Sequence, residues 1–436
     1  MKRFLERTGS EHGVDLESWE FALRQAVLCA GSRLLEQLIK DLGSGRRAAP
    51  VLCGCGTKMD SEGRREKSIR SILGDIRFKR SVFVCPACGS RRAPGDEALD
   101  VVDTVFSPGL NRLMTRAGSS GTFKEGREDL KEYASIEVTA KQVERVSEAT
   151  GEAVERWQEK ERVLVMAGDS SGDVDDEVPL LYVSYDGTGV PVVPWETAGR
   201  KGKQEDGSSK SREVKLGCVF TQTKTDKDGF PIRDPDSTSF VGAIENSEEF
   251  GRRIYTEAVR RGLTKANKVM VLADGARYNW EIAALHFPGC IEGVDLYHAR
   301  EHLYELCALL KPKGTKEFNK LKMQLLSWLD EGKVKKIIAK AEKLLPKDKD
   351  PKKEVEKQIG YFENNTHRMR YDEFREQGLF VGSGVVEAGC KTVVGKRLKQ
   401  SGMEWTVQGA NSIIALRCLY ISGRMEEFWE QKAAGA

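Results

Sequence analysis

Apolar positions recur at helical spacing through residues 15–42, at Leu16, Trp19, Phe21, Leu23, Ala26, Val27, Leu34, Leu35, Leu38 and Ile39, and stop near Gly43. That spacing predicts one helix or two, an arm that packs on a partner or on the body of the protein. Over residues 51–92 the pattern changes to short β-like runs (Ser71-Ile72-Leu73, Ile76-Arg77-Phe78, Val82-Phe83-Val84) flanked by Cys and Gly. Helical spacing returns from Ser107 to about Val165. Two capping boxes punctuate it: Thr122-x-x-Glu125 opens a helix over residues 123–133, and Thr139-x-x-Gln142 opens another over 140–149. Two short helices separated by residues 134–138 have the proportions of a helix-turn-helix, although a plain helical hairpin has the same signature.

Beyond Pro179 the rhythm is strand and helix. Strands are expected at 180–186, 214–221, 240–244, 269–274 and 290–295. Between them fall a helix at 247–261, introduced by Asn246-x-x-Glu249 with Phe250, Ile254 and Ala258 on one face, and a helix at 278–285. Residues 195–210 form a polar loop. From His298 to about Tyr371 the chain reads as Lys-rich helix, with a charged break over 347–353, and residues 385–430 are helical again. The fold class is therefore multidomain α/β. The expected segments are a helical arm (1–45), a cysteine module (46–98), a helical segment (99–170), an α/β core in two parts (178–297 and 379–436), and a helical insertion between them (298–378).

A chain of 436 residues is long enough for several domains, and no apolar run approaches the roughly 18 residues of a membrane span. The start, Met1-Lys2-Arg3, has the basic flank of a signal peptide without an apolar stretch behind it. The expectation is a cytoplasmic, nucleoid-associated protein with no membrane partner. Net charge of +3 says little, but twelve Lys or Arg against four acids between Arg46 and Arg92 mark a candidate phosphate-binding surface. A solvated charged face would look the same.

Ten cysteines in such a chain do not read as a disulfide framework. Six (Cys29, Cys218, Cys290, Cys307, Cys390, Cys418) stand singly in apolar contexts and read as core filler. The other four form Cys53-x-Cys55 and Cys85-x-x-Cys88. Two close pairs supply the four thiolates of a structural zinc site, though the first pair is one residue tighter than usual.

Two apolar runs end in Asp-Gly, at Asp186-Gly187 and Asp274-Gly275, and a distant acid, Glu387, follows Ser383-Gly384-Val385-Val386. A carboxylate at the tip of a buried strand is costly unless a cation neutralises it. Asp186, Asp274 and Glu387 together are candidate ligands for two Mg²⁺ (or Mn²⁺), the equipment of phosphoryl transfer on nucleic acid. Asp-Gly taken singly is a common turn dipeptide. A further motif, Asp295-x-x-His298-x-x-x-His302, puts two histidines on one helix face. Ala299 stands where a zincin protease would carry Glu. Lys391, Lys396, Arg397 and Lys399 follow Glu387 with no intervening acid and are candidates for contact with a DNA backbone. Gly389 and Gly395 in the same stretch allow close backbone approach.

The order of these motifs resembles that of ISKra-type bacterial insertion-sequence transposases, distant relatives of the Mutator-like group. The motifs are Cys-x-Cys…Cys-Pro-x-Cys-Gly, Tyr-Asp-Gly-Thr-Gly-Val-Pro (185–191), Ala-Asp-Gly-Ala-Arg (273–277), Asp-Leu-Tyr-His-Ala (295–299) and Gly-Ser-Gly-Val-Val-Glu-Ala-Gly-Cys-Lys (382–391). The likeness runs from about residue 50 to 425 and is most specific in the last motif, which continues through Arg397-Leu398 to Trp405 and Arg417.

The resemblance implies a ribonuclease H-like mixed-sheet core with an all-helical insertion. A zinc-ribbon-like module and a helix-turn-helix-like DNA-binding segment would precede it. It places Asp186, Asp274 and Glu387 at the DDE positions, Asp295 and His298 at an accessory Asp-x-x-His element, and Trp405 near the DNA end. The implied activity is that of a DDE transposase: binding terminal inverted repeats of double-stranded DNA, and two-metal cleavage and transfer to a target, as a homodimer on DNA. Two rivals remain: a zinc-dependent DNA-binding regulator without activity, and a metal hydrolase built on Asp295, His298 and His302.

Overall fold

The computed structural model describes residues 15–43, 45, 50–169, 172, 174, 176–202, 204 and 207–434. The basic start of the chain, and Arg46 and Arg47 of the basic block, lie outside the described residues. The chain divides into two compact units, Met1–Ser147 with Glu427–Ala436, and Glu148–Glu426.

In the first unit the predicted arm is one continuous helix, Leu16–Leu42. Its inner face buries Ile39 against Ile69, Ile76, Phe78 and Val101, and Glu36 accepts from the Arg77 backbone N–H at 2.7 Å. The short β-like runs belong to a long antiparallel hairpin, β1 (Asp60–Ser71) and β2 (Gly74–Val84), with β3 (Arg91–Arg92) paired to the end of β2. Alternation sets Ile69, Ser71, Ile76 and Phe78 inward, while Arg64, Arg65, Arg77 and Lys79 face solvent.

Helices Pro108–Ser120 and Phe123–Ala134 pack Leu110, Met114 and Leu130 together. Both capping boxes are present: Thr122 and Glu125 bond reciprocally, as do Thr139 and Gln142. The second boxed helix is not short, however. It runs Ala140–Ala167, 28 residues, because Val143, Val154 and Val165 keep one face buried well past residue 149.

In the second unit a five-stranded mixed sheet has the order β10-β9-β4-β5-β8. Its strands are β4 (Val178–Pro191), β5 (Ser211–Thr221), β8 (Ser239–Ala243), β9 (Ala266–Ala273) and β10 (Ile291–Val294). Two-residue strands β6 (Lys224–Thr225) and β7 (Pro231–Ile232) form a separate pair. β5 runs antiparallel to both its neighbours, β4 and β8, whereas β9 and β10 run parallel to β4. Leu181 through Tyr185 are all buried, which is why β4 reads as a continuous apolar run rather than an alternating one. Helices Ser247–Arg260 and Arg277–His286 supply Phe250, Ile254, Ala258, Trp280 and Ala283 to the same core.

Between β10 and Glu387 the chain is helical: Leu296–Leu310, Lys316–Asp330, Val334–Glu342, Lys349–Asn365 and Tyr371–Glu376. Their apolar faces (Leu303, Phe318, Leu325, Ile337, Phe362) join the core of the sheet without a break.

The final stretch is less regular than the sequence suggests. Helix Gly384–Gly389 passes into a π-helical turn, Cys390–Gly395, and a last turn, Lys396–Leu398. Helix Val407–Ile421 follows. It caps the outer strand, where Ile244 N–H donates to Asn411 Oδ1 at 2.7 Å.

Within this unit two buried arginines hold the part of the Ala140–Ala167 helix that follows Ser147. Arg253 is gripped by Glu155 at 3.1 Å and by Glu245 at 2.8 Å, and Arg424 reaches Glu161 at 3.1 Å and Glu257 at 3.2 Å.

Candidate functional site

Two clusters of ligating side chains stand out among the described residues: four cysteines in the first unit, and Asp295, His298 and Glu387 in the second.

The cysteines sit on two tight turns. Cys53 N–H bonds Thr57 O, Gly56 N–H returns to Cys53 O, and the second turn repeats this with Cys85, Ser90 and Gly89. Gly56 and Gly89 take φ of 85° and 72°, which the turns need and a side chain would resist. The sulfurs of Cys53 and Cys88 lie 3.5 Å apart, Cys55 and Cys85 3.6 Å, and Cys55 and Cys88 3.9 Å. A disulfide would need about 2.05 Å. A zinc tetrahedron with Zn–S of about 2.3 Å has edges of about 3.8 Å, and these separations fit it. The tight Cys-x-Cys spacing is no obstacle to four thiols converging.

In the sheet, pairing of Tyr185 with Ala273 and of Ala273 with Val294 aligns the C-terminal ends of β9 and β10 with Tyr185 of the parallel strand β4. The next residue on each is an aspartate: Asp186, Asp274 and Asp295. Asp186 is not at a strand tip as expected. β4 continues to Pro191 paired with β5 alone, so Asp186 marks the point where β4 outruns β9. Asp274 Oδ1 accepts from Ala276 N–H at 2.9 Å and from Asn279 Nδ2. Asp186 Oδ1 accepts from Gly187 N–H at 2.7 Å, and the Cys390 thiol points at its other oxygen from 3.7 Å. Cys390, read from sequence as filler, thus borders the site. It lies three residues after Glu387, one helical turn on, and that spacing was the available signal.

Asp295 is fully buried and ties the parts together. Its Oδ1 accepts from His298 N–H at 2.8 Å and lies 3.2 Å from His298 Nδ1. Its Oδ2 accepts from Ser383 N–H, just before the Glu387 helix. Glu387, half-buried, joins Asp295 and His298 in a group whose ligand atoms all lie within 4.8 Å of one another. Among the described residues, Asp186, Asp274 and Glu387 do not close to that spacing.

The hydrogen bond to Asp295 pushes the His298 pKa up to about 9; burial opposes the shift and the fields of Asp186 and Asp274 add to it. Burial raises the Asp186 pKa, and repulsion from Asp274 adds to this, against the pull of Gly187 N–H and His298. The site therefore gathers carboxylate oxygens in a half-buried place. Hard oxygen donors of this kind suit Mg²⁺ or Mn²⁺.

His302 stands apart from this group. Its Nδ1 is 2.8 Å from Gln358 Oε1 and its ring stacks on Tyr361 at 3.7 Å, so His298 and His302 are not assembled as a metal pair.

The basic residues after Glu387 divide. Lys391, Lys396 and Lys399 are exposed, and Lys399 donates to Thr188 Oγ1 on the extension of β4. Arg397 is 0% exposed and Trp405 7%; the guanidinium lies over the indole at 5.0 Å, and Trp405 Nε1–H donates to Leu398 O at 3.1 Å. Their expected place on a DNA-facing surface is corrected accordingly. A guanidinium sealed over an indole is a packing pair, out of reach of a phosphate.

No family model matches the chain, and no curated protein matches it. Among solved structures, the Drosophila P element transposase strand transfer complex aligns over 74% of this chain and 80% of that chain, at 12% identity and a TM-score of 0.23. A TM-score that low carries no argument about fold or activity. The functional reading rests on the geometry and on the motifs.

Proposed function

We propose that the chain is a DNA transposase of the insertion-sequence type, with a ribonuclease H-like core that cleaves and joins DNA strands. The observation that carries the reading is the row of three aspartates on adjacent parallel strands, with Glu387 brought next to the third of them, Asp295, by the helix that the Asp295–Ser383 hydrogen bond anchors. A sheet in which three antiparallel strands are followed by two strands parallel to the first supports the ribonuclease H-like assignment.

Asp186, Asp274 and Glu387 would hold divalent ions, which would supply Lewis-acid activation of the attacking oxygen and stabilisation of the leaving one. Asp295 positions the Glu387 helix and holds the His298 ring. Lys391, Lys396 and Lys399 bind the DNA backbone beside the site, and the exposed cations of the β1–β2 hairpin, with the capped helices behind it, bind the terminal repeats. The four cysteines hold a structural zinc.

The test is Mg²⁺-dependent nicking and strand transfer on DNA carrying the element's terminal repeats. Wild-type protein should be active, and Asp186→Asn should bind the same DNA yet fail to cut it. Full activity in that variant would refute the assignment.

A further inference from the structure

We propose that a cavity beside Asp274 receives a nucleobase turned out of the stack of a DNA strand. The inference rests on the transposase reading of the site and adds a base-binding subsite to it. The cavity has a volume of about 800 Å³ and is walled by helices Arg277–His286 and Lys349–Asn365, with His302 and Arg368 completing the lining. Small-ligand pockets run from roughly 300 to 1,000 Å³, so one unstacked nucleotide has room. Gly275, the residue after Asp274, is part of the wall, and a Cβ on it would stand 3.0 Å from Tyr361 Oη. A strand whose phosphate sits at Asp274 therefore has a neighbouring base within reach of this space.

The lining is built for a ligand. Trp280 Nε1–H and the Tyr361 hydroxyl are buried atoms with no partner among the described residues, and Trp280 as a whole is only 7% exposed. A buried donor without an acceptor is destabilising until something bound supplies one. His302 offers the opposite sign. Gln358 Nε2 donates to Glu305 Oε2 at 2.9 Å, so Gln358 Oε1 accepts from His302 Nδ1 at 2.8 Å and the neutral ring keeps Nε2 as an acceptor. Gly360 borders the same space. It stands inside helix Lys349–Asn365, where glycine is unfavourable, yet a Cβ built on it would meet nothing within 4 Å. Packing does not require a glycine there; a cavity kept open does.

Chemistry selects the occupant. Trp280, Tyr361 and His302 bring aromatic rings, the last two stacked at 3.7 Å, beside hydrogen-bonding atoms of both signs. Rings with a mixed donor and acceptor edge are what an extruded base meets in pockets that bind one. The interior suits a phosphate poorly. Arg368 lies over the Trp280 ring at 4.3 Å and is already paired with Glu292 at 2.6 Å. The other cations of the lining, Arg277 and Lys357, are exposed and meet the flanking backbone.

The test is photo-cross-linking of the full-length protein to a single-stranded oligonucleotide carrying iodouracil, without Mg²⁺, with the linked residues mapped by mass spectrometry. Wild-type protein should cross-link at Trp280, Tyr361 or His302. Gly360→Phe and Gly360→Met put a side chain into the cavity without removing a contact. Both should lose the cross-link and bind the oligonucleotide at least about fivefold more weakly by fluorescence anisotropy, while Gly360→Ala keeps both properties. Thermal melts no lower than that of the wild type show the variants to be folded. Wild-type cross-links confined to residues outside the cavity overturn the proposal, and so do cross-links unchanged in both filled variants. A strand of the same length made abasic should not compete. A free deoxynucleoside triphosphate that binds as tightly as the oligonucleotide would make the occupant a free nucleotide and refute a strand-borne base. Because the assay involves no cleavage, a chain that fails to nick DNA can still pass it, and one that nicks DNA can still fail it.

Discussion

The backbone N–H of Ser383 donates to Asp295 Oδ2, so the residue that follows β10 also fixes the start of the Glu387 helix. The same carboxylate caps helix Leu296–Leu310 through its other oxygen. Burial alone would raise its pKa, but hydrogen bonds from His298 and Ser383 outweigh that and hold it below the usual carboxylate range. One buried charge thereby connects the sheet, the first helix of the helical stretch and the segment carrying the third acid.

Asp295→Ala should remove a helix cap and leave the Ser383 N–H without its acceptor, at a cost of about 2–4 kcal/mol. Urea denaturation followed by circular dichroism measures this. Asp295→Asn keeps an acceptor oxygen and should lose less. Equal midpoints for wild type and Asp295→Ala would show that the link contributes nothing.

Gly389 lies where the Glu387 helix presses on the outer strands. A Cβ there would stand 2.9 Å from Phe240 Cδ1, closer still to Cε1, and 3.2 Å from Leu216 Cδ2. Gly389→Ala should therefore destabilise by about 1–3 kcal/mol, outweighing the roughly 1 kcal/mol that alanine gains in a helix. Gly395 has only Cys390 O near its would-be Cβ, at 3.5 Å, so Gly395→Ala should be neutral or mildly stabilising. Thermal melts of the two variants side by side separate crowding from propensity.

Much of this was legible in the sequence. The strands carrying Asp274 and Asp295 announce themselves as apolar runs, and the caps at Thr122, Thr139 and Asn246 fall where their side chains predict. The cysteine pairs likewise point to each other. The β1–β2 hairpin was seen only in fragments, because Ser61 through Lys67 are almost all polar and a solvated strand has no apolar period to read. Arg397 and Trp405 misled for a related reason. A Lys/Arg run looks like surface, and nothing local says that one member turns inward onto an indole. The π-helical turn depends on how Cys390–Gly395 fits against the sheet, which is a tertiary matter.

Arg253 is 6% exposed and held by two glutamates. Arg253→Ala should cost about 3–5 kcal/mol, because Glu245 would lose its cation and Glu155 would keep only Arg162, at 3.9 Å. Arg253→Lys should rescue only part of this, since an ammonium cannot bond both carboxylates in the forked geometry. Chemical denaturation of both variants gives the comparison.

Zinc content should be one ion per chain in wild-type protein and near zero in Cys85→Ser or Cys88→Ser, read by elemental analysis. Stripping the ion should unfold the cysteine turns, since structural zinc contributes on the order of 10 kcal/mol. Protease sensitivity confined to residues 50–92 would report it. Stoichiometric zinc retained in both variants would exclude the tetrahedral arrangement.

The interval of chain between the aspartates and Glu387 also sets an order of events during synthesis. The last of the three aspartates, Asp295, leaves the ribosome ~90 residues before Glu387 does, about 5–20 s at ordinary elongation rates. A nascent chain therefore carries the aspartate row for seconds without its final acid. The complete constellation appears only once the helical stretch has been made and has closed.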